Sequence, residues 1–263
     1  MPVKRLAALA VLLAACGQQG AVPQENRSID ATGKQPVAVQ PPAKPFSAVI
    51  ANDLYEFTFG WPAEAAAIPE LAGRFRRDMA DARAELVAGA EEGKALRDKD
   101  GMDFQPHSSS TVYETAGQSQ QLLSLRLDAG GYTGGAHGNS GVRALLWDRQ
   151  ARREINFADL FAEQANRDRL LTQRWCDSLN SARQEKRGEP VGGGGMFDDC
   201  PSLDDIAIVP ADADKDGRFE KLHLVASPYV AGPWAEGAYE VELAVTPELV
   251  AGMKSRFQPS FKT

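Results

Sequence analysis

The sequence predicts a single α+β domain, an antiparallel sheet covered by two main helices, and three observations carry that prediction. Segments such as 122–128 and 239–245 place apolar residues at every second position, as half-buried antiparallel strands do. Two long segments, near 69–97 and 160–186, repeat their apolar residues at intervals of three and four, as amphipathic helices do. The helical segments do not alternate strictly with the strands, which argues against a doubly wound parallel sheet.

At the N-terminus Lys4 and Arg5 precede an apolar run from Leu6 to Ala14, and Ala14 and Ala15 lead into Cys16. That order is the pattern of a lipoprotein signal peptide, residues 1–15, cleaved before a lipidated Cys16. The run is far shorter than the ~20 apolar residues a spanning helix needs. Residue 17 is Gly and not Asp, which in lipoprotein sorting points to the outer membrane, with the domain facing the periplasm. Residues 16–45 are rich in Gln, Pro, Ala and Gly and poor in large apolar residues, so they read as a disordered tether. Residues 46–263 are long enough to bury a core of their own. Loss of Lys4 and Arg5 takes the formal charge from −7 to −9. With no basic, aromatic-interleaved patch, nucleic acid is not an expected partner.

Within the domain, Tyr55, Phe57, Phe59 and Trp61 form the aromatic face of a strand that Pro62 ends. Pro69 starts the first helix, which buries Leu71, Phe75, Met79, Ala82, Leu86 and Ala90 and exposes Arg74, Arg76, Asp78, Asp81 and Glu85. Residues 101–110 read as a loop and 111–115 as the next strand. Leu123, Leu125 and Leu127 share one face of the strand after it. Six glycines between Gly130 and Gly141 cannot form ordinary strand or helix and predict a shaped turn before the strand from Val142 to Trp147. Asn156 or Asp159 can cap the second helix, whose buried side is Leu160, Phe161, Leu170, Leu171, Trp175 and Leu179. A glycine-rich loop at 188–196 follows. The last third reads as strands 206–209, 219–226 and 239–245 and a short helix from Pro247 to about Phe257. A second glycine-rich turn, 227–237, joins the last two strands, and the two turns are expected to meet.

Of the three cysteines, Cys16 is assigned to the lipid, so Cys176 and Cys200 pair in an oxidising compartment. Such a bridge stabilises by about 3 kcal/mol on the chain-entropy estimate.

Asp212, Asp214 and Asp216 before Gly217 match the first half of a calcium loop, but His223 stands at the twelfth position where a bidentate Glu completes such sites. The flanking segments are strands, so a solvated acidic turn is the preferred reading of these three carboxylates. The three histidines, His107, His137 and His223, lack the neighbouring acids or cysteines of a zinc centre, and His137 is expected to fix its loop through a backbone hydrogen bond. His137–Gly141 is not a nucleophile elbow, and Gly192–Gly195 is not followed by the Lys of a phosphate loop. Neither Asp198–Asp199 nor Asp204–Asp205 has a spacing that identifies an acid–base couple. No catalytic set and no cofactor is implied.

Residues 132–139 (YTGGAHGN) together with 228–237 (PYVAGPWAEG) resemble the extracellular domain of the anti-sigma factor RsiV and its relatives, a domain also found at the N-terminus of PdaC-type peptidoglycan deacetylases. Residues 55–62 are similar to that family's first strand and 155–161 to its mid-domain turn, so the resemblance covers roughly residues 46–263. It implies a non-catalytic binding domain for lysozyme-type muramidases or peptidoglycan. The alternative is an envelope hydrolase or deacetylase acting on cell-wall glycans. The acidic charge would steer basic enzymes towards such a domain. Tyr132, His137, Asn139, Tyr229, Trp234 and Glu236, all in the two glycine-rich turns, are the candidate binding residues.

Overall fold

A computed structural model describes residues 43–189, 191, 192 and 194–263. The signal peptide, Cys16 and nearly all of the tether lie outside the described residues. The α+β class holds, with the strands divided between two sheets of six and three.

The first sheet runs β1 (Phe46–Ala51), β2 (Tyr55–Trp61), β3 (His107–Gln118), β4 (Leu122–Tyr132), β5 (Asn139–Asp148) and β6 (Arg153–Ile155), in chain order. All neighbours are antiparallel except β2 and β3, which are parallel. A parallel pair needs a crossover, here a short helix α1 (Ala63–Ala66) and the long helix α2 (Pro69–Lys99). Pro69 opens α2 at a position where its missing N–H costs nothing. The helix buries Leu71, Phe75, Leu86 and Ala90 in one core with Phe57, Phe59, Trp61, Tyr113, Leu123, Leu125 and Leu127. Phe75 stacks on Tyr113 with ring centroids 4.2 Å apart.

β1 has no counterpart in the sequence reading, and β3 starts at His107, inside the segment read as a loop. Three consecutive serines, 108–110, are poor strand formers. They are held because Ser108, Ser109 and Ser110 pair on one side with Glu56, Phe57 and Thr58 and on the other with Tyr132, Gly131 and Gly130.

The second sheet, β7 (Ala207–Ala211), β8 (Lys221–Ala226) and β9 (Tyr239–Ala244), lies against the face of the first that α2 leaves bare. Small residues line the contact, Ala207, Val209 and Val225 against Ala116, Val142 and Ala144. Where β7 ends, the Asp212 N–H donates to the Ala116 carbonyl at 3.1 Å. A Cβ on Gly117 would come within 2.6 Å of that same nitrogen, so the close approach requires glycine.

Helix α3 (Gln164–Arg187) covers the outer face of the small sheet, burying Leu171, Trp175 and Leu179 in a second core with Leu222, Leu224 and Leu243. Asn156 and Asp159 do cap, as a reciprocal box, but on a 3₁₀ turn (Phe157–Leu160) that precedes α3. Helix α4 (Pro247–Gly252) is shorter than expected, and a 3₁₀ turn at Gln258–Ser260 follows it.

Candidate functional site

The first glycine-rich turn closes the β4–β5 hairpin. A Cβ on Gly138 would lie 2.9 Å from the Gly131 carbonyl oxygen, so the two arms approach only because this residue is glycine. The second turn, between β8 and β9, is tied by the Tyr229 N–H to the Gly232 carbonyl at 2.9 Å. Tyr229 itself has φ = 70°, the left-handed region where a side chain costs energy.

The two turns meet. The Trp234 indole N–H donates to the Gly138 carbonyl at 3.1 Å, and the His137 ring stacks on Trp234 with centroids 4.3 Å apart and planes inclined by 22°. His137 Nδ1 lies 2.8 Å from the same carbonyl oxygen, which can only accept, so Nδ1 carries the proton. Nε2 lies 3.2 Å from the Tyr229 hydroxyl and, in the neutral ring, accepts from it. The result is an aromatic cluster joined across the gap between the sheets, with Tyr229 54 % and Trp234 40 % exposed. Tyr132 ends β4 half-buried and outside this stack, and Asn139 begins β5 exposed to solvent.

Glu236, the sixth candidate, is engaged within the molecule. Its carboxylate accepts from Arg187 Nε at 3.0 Å and from the Tyr239 hydroxyl. Burial pushes the Glu236 carboxyl up, but the hydrogen bonds from Arg187 and Tyr239 together hold it below its ordinary range. A Cβ on Gly232 would collide with the Glu236 carboxylate, so this glycine makes room for the pairing.

What positions the second turn is the C-terminal end of α3, and sequence reasoning missed it. Arg183 is fully buried and donates to the carbonyls of Ala231 at 3.0 Å, Asp198 at 3.2 Å and Asp199 at 3.0 Å. Burial, then the neighbouring Arg187, holds its guanidinium below its ordinary pKa. Lys186 donates to the Glu236 and Ala238 carbonyls at 2.9 and 2.6 Å. The signal was available: Arg183 and Arg187 continue the buried series Leu171, Trp175, Leu179 at intervals of four.

Beside the cluster, the bare end of the first sheet forms a shallow trough of about 380 Å³ floored by Ser110, Gly130 and Ser140. Arg126 crosses it, bonded to Asp128 and to Glu240 of β9 at 2.8–3.0 Å, which ties the two sheets together there.

The acidic turn is built differently. Ligand oxygens of Asp212, Asp214 and Asp216 lie within 4.8 Å of one another. The Lys262 ammonium stands among them, 2.5 Å from Asp214 and 2.8 Å from Asp216. Asp212 accepts the backbone N–H groups of Asp216 and Gly217 at 3.1 and 2.9 Å. A divalent ion would have to displace Lys262.

Cys176 and Cys200 form the expected disulfide, with Cα atoms 5.6 Å apart, and it ties α3 to the loop before β7. Of the remaining candidate acids, Asp204 is paired with Arg167 and Gln164, Asp205 with Ser202, and Asp198 with Arg187 and the Gly195 N–H, while Asp199 is exposed. His107 is buried at the start of β3 beside Phe104, and His223 faces Glu242 across the sheet at 3.3 Å.

Residues 49–140 match the family model described as Deacetylase PdaC. The match runs from β1 to the first residues of β5 and so includes His137 and Asn139 but not the second turn. Several solved structures are similar, two of them as follows. One is a DUF3298 family protein from Pseudomonas aeruginosa, 14 % identical, with a TM-score of 0.46 over 80 % of this chain and 97 % of that one. The other is a DUF3298 family member from Bacteroides fragilis, 15 % identical, with a TM-score of 0.46 over 83 % and 97 %. A search of curated proteins finds no match.

Proposed function

We propose that this chain is a non-catalytic binding module of the cell envelope that takes up a basic, lysozyme-type muramidase on the surface where the two glycine-rich turns meet. The observation that carries the reading is the exposed cluster of His137, Tyr229 and Trp234, held by backbone that only glycine, or a residue kept at positive φ, can adopt. Rigid aromatics presented on fixed backbone are the anchors that dominate protein recognition, since few rotamers are lost on binding. The net charge of −7 supports the choice of a basic partner. The resemblance to the RsiV extracellular domain and the match to the PdaC model over 49–140 point to the same setting. In this reading Cys16 carries lipid and residues 16–45 tether the domain to the periplasmic face of the outer membrane.

The test is binding of the purified protein to a C-type lysozyme and, in parallel, to isolated peptidoglycan. Lysozyme should bind, and Tyr229→Ala or Trp234→Ala should weaken it by at least about tenfold, the scale of a lost anchor, with an unchanged melting temperature. Retention on peptidoglycan without lysozyme binding would make the ligand the glycan. The match to a model named for a deacetylase favours the second reading, an envelope hydrolase or deacetylase, and release of acetate or muropeptides from peptidoglycan would replace the binding module by it.

A further inference from the structure

Strand β5 is longer than the strand that flanks it. β6 pairs only with Leu146, Trp147 and Asp148, so from Asn139 to Leu145 β5 has β4 on one side and, among the described residues, no strand on the other. Two hydrogen bonds fix which residues face the open side. The Arg149 N–H turns towards β4, donating to the Gln121 carbonyl at 2.8 Å, whereas the Val142 N–H turns away from it, to Ser227 Oγ at 2.9 Å. Strand alternation then turns the N–H and C=O of Ser140, Val142 and Ala144 outwards. Among the described residues, the Ala144 backbone has no partner there.

The chain leaves this edge one strand short for a local reason. After Ile155 the capping box of Asn156 and Asp159 winds the backbone into the 3₁₀ turn, and the line that β6 would have followed becomes a groove of about 740 Å³. Its opposite wall is Ile206–Ile208 at the start of β7, itself the end strand of its sheet. Native sheets blunt such edges with Lys, Pro or a bulge. The segment Ser140–Ala144 carries neither Lys nor Pro, its one charged residue is Arg143, and its pairing with β4 is regular. The groove carries four carboxylates, of which Glu154 is paired with Arg74 and Asp204 with Arg167, so that, among the described residues, Asp159 and Asp205 remain without a cationic partner against the single guanidinium of Arg143.

We infer that this groove is a second binding site, distinct from the aromatic cluster, which takes an extended basic segment of a partner protein as an added strand on β5. Unpaired main-chain groups recognise main chain irrespective of sequence, which selects an extended polypeptide, and the acidic lining selects lysine or arginine side chains on it.

The probe is the hexapeptide acetyl-Lys-Val-Lys-Val-Lys-Val-amide, titrated into the full-length protein while amide exchange and chemical shifts are followed residue by residue. The peptide should slow exchange of the Ala144 amide about tenfold and shift it. Of two N-methylated versions, one blocked at the lysines and one at the valines, only the version that loses the donors facing β5 should weaken binding, by about tenfold. A glutamate-for-lysine version should bind more weakly than the parent. Equal binding of the two N-methylated peptides, or shifts confined to residues outside the groove, overturns the inference. So does an Ala144 amide already protected before peptide is added. If that protection grows with protein concentration, a second copy of this chain fills the groove instead. No substitution in the protein is involved, so a folding defect cannot mimic either result.

Discussion

The acidic turn at Asp212–Gly217 and the joined glycine-rich turns both gather polar side chains at a loop, but they differ in what the fold leaves them to offer. The acidic turn is satisfied from within, by Lys262 on two of its carboxylates and by two backbone N–H groups on the third. At the glycine-rich turns the internal partners fix the rings and cover them only in part: His137 stacks on Trp234 and bonds to Tyr229 and Gly138, Trp234 bonds to Gly138, and the cluster stays exposed. Residue types that could bind a ligand count as a site only after the partners supplied by the chain itself are subtracted. Glu236 fails that test as the aspartates do, because Arg187 and Tyr239 have already claimed its carboxylate.

The largest expected effect comes from breaking the support under the second turn. Arg183→Leu removes the donors to three carbonyls, the buried one of Ala231 and the partly buried ones of Asp198 and Asp199. Orphaned carbonyls cost more than the hydrogen bonds themselves contribute, so the loss should be about 3 kcal/mol, read as a fall in the urea midpoint. An unchanged midpoint would mean that the turn holds its shape without α3, and the contrast with the self-contained acidic turn would collapse.

How much of this was legible in the sequence follows from the range of the forces involved. The aromatic face of β2, the leucine face of β4 and the buried stripe of α3 were readable because strand and helix periods act over neighbouring residues. The meeting of the glycine-rich turns was readable because both interrupt strands in the same way. The division into two sheets was not, since it rests on small residues, Ala116, Val142 and Ala144 against Ala207, Val209 and Val225, whose modest hydrophobicity gives no strong pattern. The parallel pairing of β2 with β3 was hidden by the serines at 108–110. Lys262 could not be assigned to the acidic turn because that pairing spans 48 residues and leaves no local trace. Arg183 was visible by spacing and was passed over because a charged residue on a helix ordinarily faces water.

A smaller effect should sharpen the same comparison through pH. The folded Glu236 carboxyl lies below its ordinary range, so its ionised form stabilises the fold above the unfolded value, about 4.3, and that contribution disappears as pH falls through the depressed folded value. Glu236→Gln should therefore cost about 1 kcal/mol at pH 7, reduced from a fully buried charged hydrogen bond by solvent at the rim. Wild type and variant should converge once the pH has fallen below the depressed folded value. A gap that persists at the acid end of the range in which the protein stays folded would assign the loss to altered packing around Gly232 and not to the ion pair.

The smallest effect belongs to the acidic turn. Asp214 and Asp216 are exposed, and Lys262 holds both carboxyls below the usual range, so their contribution is complete above about pH 4 and is lost only in acid. Exposed pairs of this kind contribute little, because water and salt screen them and long side chains lose freedom in making them. Asp216→Asn should leave the melting temperature at pH 7 within the scatter of replicates. Calcium at millimolar concentration should leave the wild-type melting temperature equally unmoved, because an ion entering the turn must first strip two carboxylates from the Lys262 ammonium. A calcium-dependent rise would show that the ion outcompetes that ammonium and that the turn, like the aromatic surface, keeps groups in reserve for a ligand.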